Sequence, residues 1–241
     1  MFNQIENQFN SAGYTESNSL AAKAFMSGVF MWMFLALSVT AITAYIFGND
    51  MSLMRLLVTE TGMSMLGYIV IFSPIGFVFL MSFGFNKLSA SVITLLFAVF
   101  AILMGMSLSF IFLAYTLGSI YLTFAIAASM FGIMAVAGYT TKTDLTKFGS
   151  ILIMGLIGII IASLINMFMR SGTMDYIISF LGVLIFTGLT AYDVQKLKRI
   201  GSGSMYGEEN TKKLMIMGAL TLYLDFINLF LYLLRFFGNR K

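Results

Sequence analysis

Asp225 stands in the middle of the long apolar stretch LMIMGALTLYLDFINLFLYLLRFF. A carboxylate at the centre of a bilayer costs at least ~2.5–3.5 kcal/mol, so an acid kept there must face the interior of a bundle or a water-filled cavity. Thr221, Asp225, Asn228 and Tyr232 follow one another at spacings of 4, 3 and 4, which puts them on one helical face. Gly218 extends that face and permits close helix approach. Two readings fit: a site for an ion or proton, and a polar clamp between helices.

The other chemistry-bearing residues are few. Thr187, Thr190 and Asp193 recur three apart in GVLIFTGLTAYDVQKLKR, and taken alone Asp193 reads as a boundary acid answering Lys196 or Lys198. Ser163, Asn166 and Arg170 share a face and suit hydrogen bonds between helices. The chain has no histidine and no cysteine. Imidazole and thiolate chemistry are therefore excluded, and any metal must be held by oxygen, which favours calcium or magnesium. A response to pH near neutrality falls to carboxylates in an unusual environment or to the N-terminal amine. Two aspartates on the last two apolar stretches suggest an intramembrane aspartyl protease, but the Gly-x-Gly-Asp element is missing: Leu222-Tyr223-Leu224 precedes Asp225. No triad can be assembled except a lysine-based one, and no phosphate-cradling glycine loop occurs. The chain does not read as an enzyme, and no organic cofactor is expected.

The elements that must position these residues are membrane spans. Of 241 residues, 59% are hydrophobic and 10% charged, against about 25% charged in a soluble domain. Seven stretches reach the roughly 20 apolar residues that a span needs: about 25–47, 63–81, 92–114, 117–139, 149–169, 174–192 and 214–237. The second holds the only proline, Pro74, and a kink is expected there. Strand-like alternation is absent. Residues 1–22 are polar and read as a flexible tail, lacking the basic start of a signal peptide. Residues 23–241 form one seven-helix transmembrane domain. Gly155 and Gly158 are expected at helix contacts, and the Gly/Ser-rich linker Gly201–Gly207 is expected to move. Nine basic residues flank the spans on the side of Lys23, Lys87 and Lys142, and five on the other. The first side is expected to be cytoplasmic. The N-terminus is then inside and the C-terminus outside, unless the last segment is re-entrant. No basic stripe with interleaved aromatics marks a nucleic-acid partner; the lipid bilayer is the partner that composition implies.

Three segments carry a resemblance: GYTTKTDLTKFGSILIMGLIGIIIASLINMF (Gly138–Phe168), LIFTGLTAYDVQKLK (Leu184–Lys198) and LYLDFINLFLYLLRFFG (Leu222–Gly238). They resemble the Bax-inhibitor family, the transmembrane Bax-inhibitor-motif proteins, in a bacterial form. MGMSLSFIFLAYT (Met104–Thr116) is similar to that family's third span. The resemblance implies an all-α fold of seven transmembrane helices with the last one central and six around it. It implies a pH-sensitive calcium leak whose sensor is an aspartate pair, here Asp193 and Asp225. Some members engage the sensor with an arginine near the start of the third helix; this sequence offers only Lys87 there, a point charge without the forked guanidinium.

Two functions follow as expectations. The first is a passive calcium leak in a bacterial inner membrane, gated by protons on Asp193 and Asp225, which also bind the calcium transiently, with Thr190, Thr221 and Asn228 along the polar face. The second is a non-conducting regulator that binds another membrane protein such as a membrane-anchored AAA+ protease. One tension stands: if the last span begins at Leu214, Asp225 lies about 16 Å deep, whereas Asp193 lies close to the boundary.

Overall fold

The computed structural model describes residues 19–60, 62–203 and 207–241. Seven of its helices are long and apolar enough to cross a membrane. They are α1 (Ser19–Asn49), α3 (Met65–Gly84), α4 (Ala90–Leu108, continued by the short α5, Ile111–Ala114), α6 (Leu117–Thr140), α7 (Thr146–Met169), α8 (Gly172–Ser202) and α9 (Glu208–Phe237). Between α1 and α3 lie the short helix α2 (Met51–Leu57) and two paired two-residue strands, β1 (Val58–Thr59) and β2 (Gly62–Met63), which the sequence does not announce. Of the expected tail, residues 1–18 lie outside the described residues; Ser19–Ala22 are already helical, and Ala22 is buried. Residues 204–206 of the expected linker also lie outside them.

Polar side chains cap the starts of five of these helices. The side chains of Asp50, Ser64, Ser89, Thr116 and Ser171 accept amide hydrogens at the starts of α2, α3, α4, α6 and α8. Such caps satisfy amides that have no partner within the helix. Pro74 lies inside α3, which continues through it. Proline cannot bond the Val70 carbonyl, and the Ser73 hydroxyl donates to that carbonyl instead, at 3.2 Å.

Large apolar side chains point outward all around the bundle, including Phe34, Met65 and Phe168. Such a surface suits hydrocarbon, not water. The chain is an all-α integral membrane protein with α9 at its centre. Over its most apolar 18 residues α9 is 61% buried inside the bundle, against 11% for α7. A helix that carries Thr221, Asp225 and Asn228 along its span belongs in the interior of a bundle, away from lipid. Four long helices, α1, α4, α6 and α8, pack directly along α9, whereas α3 packs on α4 and α7 chiefly on α8. The six expected around α9 thus form an inner set of four and two outriders.

A hydrogen-bonded chain ties α9 to two neighbours. The Thr40 hydroxyl donates to the Ala101 carbonyl at 2.8 Å, so the Tyr223 hydroxyl, 2.8 Å from Thr40 Oγ1, must be the donor in that second contact. The Tyr223 ring lies edge-on to Phe97 and Phe100.

Candidate functional site: an aspartate pair between the last two spans

Both helices of the site run past the apolar stretches. α8 continues to Ser202, nine residues beyond Asp193, and α9 begins at Glu208, six residues before Leu214. Asp193 is therefore well inside its helix and not at its end. Leu197 meets Gly218, and Tyr232 lies over Gly182. This antiparallel register sets Asp225 about level with Thr190, one helical turn from Asp193. The depth mismatch disappears because both helices extend beyond their apolar stretches.

Glycines bring the helices together here. A Cβ at Gly138 of α6 would collide with the Ala191 backbone, one at Gly149 of α7 with the Tyr192 ring, and one at Gly218 of α9 would stand 2.7 Å from Leu197. α8 is thus gripped on three sides within one stretch, as small residues permit in membranes. Gly155 meets Ile185 in the same manner, but Gly158 faces open space and serves no contact, contrary to expectation.

Within that grip the Asp193 and Asp225 side chains lie in hydrogen-bonding reach of each other. Asp193 is 9% exposed and Asp225 5%. Oδ2 of Asp225 is buried without a hydrogen-bond partner. Among the described residues, Lys196, one turn along α8, is the cation that acts on Asp193. Lys87 is exposed in the turn between α3 and α4. Around the pair, Thr190 is fully buried and its hydroxyl bonds the Phe186 carbonyl. Thr221 and Asn228 likewise donate to carbonyls one turn back, Met217 and Leu224. Asn228 also lines a cavity of about 400 Å³ with Tyr115, Ser163, Tyr232 and Arg235. Asp225 lies one turn deeper along α9, so polar side chains lead from the end of α9 towards the pair.

Beyond the pair along α8, polar side chains tie that helix to the end of α6 and the turn before α7. Gln195 accepts from the Leu145 amide at 2.9 Å and donates to the Thr143 carbonyl at 2.8 Å. Lys198 donates to the Tyr139 carbonyl at 2.7 Å and lies over that tyrosine's ring. Arg199 pairs with Asp144 at 2.5 Å. Hydrogen bonds from Thr146 and then from Arg199 hold the Asp144 carboxyl well below its ordinary pKa. Among the described residues no group of three or more acids, histidines or cysteines is gathered to hold a metal. Two carboxylates offer at most four oxygens of the six to eight that calcium takes. They fit a cation in passage, completed by carbonyls and water, better than a resident one.

Comparison with known sequences agrees with this architecture. The family model described as "Inhibitor of apoptosis-promoting Bax1" matches residues 22–241. The chain belongs to the Bax-inhibitor family. Among its relatives in that family is the protein named "Inner membrane protein YbhL" of Escherichia coli K12. It is 46% identical over 220 residues, covering 91% of this chain and 93% of that protein. An uncharacterised protein of Borreliella burgdorferi is 46% identical over 222 residues, 92% of this chain and 94% of its own length. One from Rickettsia prowazekii is 44% identical over 223 residues, 91% of each. This Bax-inhibitor family chain thus shares nearly its whole length with bacterial relatives.

Sequence reasoning missed two features. The Thr40–Tyr223 contact spans 183 positions, and no local signal marks it. At the far end of the bundle, Asp175 gathers Arg235 at 3.1 Å and Arg240 at 3.4 Å; only the sequence bias of basic residues at helix ends hinted at it.

Proposed function

We propose that this protein is a passive calcium leak of a bacterial inner membrane, opened and closed by protons on Asp193 and Asp225. The observation that carries the reading is the meeting of these two buried carboxyls across α8 and α9. When the pair holds a proton, one carboxyl donates to the other and α8 stays closed on α9. When both are ionised, like charges in a poorly hydrated interior repel. The same two ionised groups then attract a divalent cation through oxygen. The gap at the pair opens when α8 and α9 part, and Asn228 lies one turn from Asp225 along α9. Lys196 shields Asp193 from the opposite end. The inner-membrane placement rests on the name of the Escherichia coli relative, and the cytoplasmic N-terminus on the nine basic residues facing five.

The test is calcium entry into liposomes holding purified protein, across a pH series from about 6 to 8. Flux in the native protein should rise with pH. Asp193→Asn and Asp225→Asn should flatten that dependence, since asparagine keeps hydrogen-bonding capacity but does not titrate. Identical pH curves for all three proteins would reduce the pair to a structural clamp. Absence of calcium flux at every pH would favour the non-conducting regulator of another membrane protein, such as a AAA+ protease.

A further inference from the structure

The end of the bundle opposite the loop between α8 and α9 carries a cleft of about 640 Å³ between the ends of α7, α8 and α9. We propose that this cleft binds an anionic phospholipid, with the phosphate held by Arg170, Arg235 and Arg240. Three arginines and a single acid, Asp175, line it. Asp175 is shared by Arg235 and Arg240. Arg170 has no acidic partner among the described residues. The lining therefore carries two positive charges in excess. Guanidinium groups present planar forks that match phosphate oxygens.

The backbone at Arg170 supports a site of its own. This residue ends α7 at φ 52 and ψ 34, and it is the only residue other than glycine with positive φ among the described ones. Glycine or asparagine is the ordinary choice at such a left-handed helix end. An arginine there accepts backbone cost to present its side chain. The turn is fixed: the Arg170 amide bonds the Asn166 carbonyl at 2.7 Å, and the Asn166 side chain accepts from the Ser171 amide at 3.0 Å.

The cleft has a second wall that a free anion would not need. Ile160, Leu164 and Met167 line it from α7, and all three are exposed on the lipid-facing side. The basic mouth lies at the helix ends, where headgroups sit, and the apolar wall runs from there towards the membrane centre. Charge above and hydrocarbon below, in register, is the chemistry of a lipid phosphodiester with its acyl chain.

The experiment uses the full protein, stripped of lipid in neutral detergent. Binding of phosphatidylglycerol is measured by native mass spectrometry and by the shift of the thermal midpoint, with phosphatidylcholine and inorganic phosphate as parallel arms. Phosphatidylglycerol should bind and raise the midpoint, and phosphatidylcholine and inorganic phosphate should not match it. Arg170→Gly and Arg240→Gln should each weaken binding by about ten- to a hundredfold. Glycine suits the left-handed backbone, so Arg170→Gly should keep its lipid-free midpoint and isolates the guanidinium from any folding effect. Unchanged phosphatidylglycerol affinity in Arg170→Gly would overturn the proposal. Equal binding of phosphatidylcholine would overturn it too, and inorganic phosphate matching the lipid would make the cleft a site for a free anion instead.

Discussion

Tyr223→Phe and Thr40→Val test how α9 is anchored, and the geometry orders their effects. The chain runs from the Tyr223 hydroxyl to Thr40 Oγ1 and on to the Ala101 carbonyl, with both contacts at 2.8 Å. Tyr223→Phe removes the first donor only. Thr40 still donates to Ala101, so the loss is one hydrogen bond, about 0.6–1 kcal/mol. Thr40→Val keeps the side-chain shape but removes the middle of the chain. It strands the hydroxyl of Tyr223, a residue with 0% exposure, at a cost of about 1–3 kcal/mol. The double variant has no stranded hydroxyl and should cost less than the two single changes added together. The assay is equilibrium unfolding in mixed micelles of mild and denaturing detergent. Tyr223→Phe costing as much as Thr40→Val, or strict additivity, would refute the assignment of donor and acceptor. Tyr223 and Asp225 are two positions apart and face opposite sides of α9, so neither variant should move the pH dependence of calcium flux.

The remaining predictions concern packing, charge and topology. Gly138→Val drives a side chain into the Ala191 backbone and should lower stability by roughly 1–3 kcal/mol or more; Gly158→Ala, facing open space, should be neutral or slightly stabilising, both read from thermal midpoints in detergent. Asp144 has a lowered pKa, through Thr146 first and Arg199 second. Its contribution is complete above the unfolded value near ~3.9 and fades only as pH falls through the lower folded value. Asp144→Asn should therefore leave the flux profile between about pH 6 and 8 where it was, and a displaced profile would move the titration away from the buried pair. Reporters fused after Gly48 and Gly238 should signal from one side of the membrane and a reporter after Gly203 from the other; Gly238 agreeing with Gly203 would require a re-entrant α9.

The spans were legible because twenty-odd apolar residues in a row permit little else. Their ends were not legible where a helix outlasts its hydropathy. After Tyr192 the sequence turns polar with Asp193, Gln195, Lys196, Lys198 and Arg199, yet α8 continues to Ser202. Backbone hydrogen bonds and packing sustain a helix regardless of side-chain polarity, and these polar groups find partners on α6 and the turn before α7. Asp225 was legible as an isolated intramembrane acid. Asp193 was not, since spacing alone gave it Lys196 as a natural partner, and only the resemblance nominated it. Ser163, Asn166 and Arg170 were read correctly as one face but not for what they do: Asn166 caps a turn, and the face lines a cleft. The other two arginines of that cleft, Arg235 and Arg240, come from the last turn of α9 and the segment after it, and no local pattern joins them to Arg170.

The central position of α9 has a consequence for how the chain is made. Ribosomes deliver helices in order, and α9 follows the six others into the membrane. Until it arrives, α1, α4, α6 and α8 have no common partner, and the apolar faces that will enclose Tyr223, Leu229 and Leu233 stand open to lipid or to one another. The segment after α9 then pairs with the turn before α6, through the Asn239 carbonyl with the Thr116 amide at 3.1 Å and the Lys241 amide with the Ala114 carbonyl at 3.0 Å. The seven-span bundle is therefore completed from its centre by the last of these spans to be synthesised. A nascent chain stalled before α9 exposes a half-built interface, the kind of surface by which membrane quality-control proteases can tell unfinished proteins from finished ones.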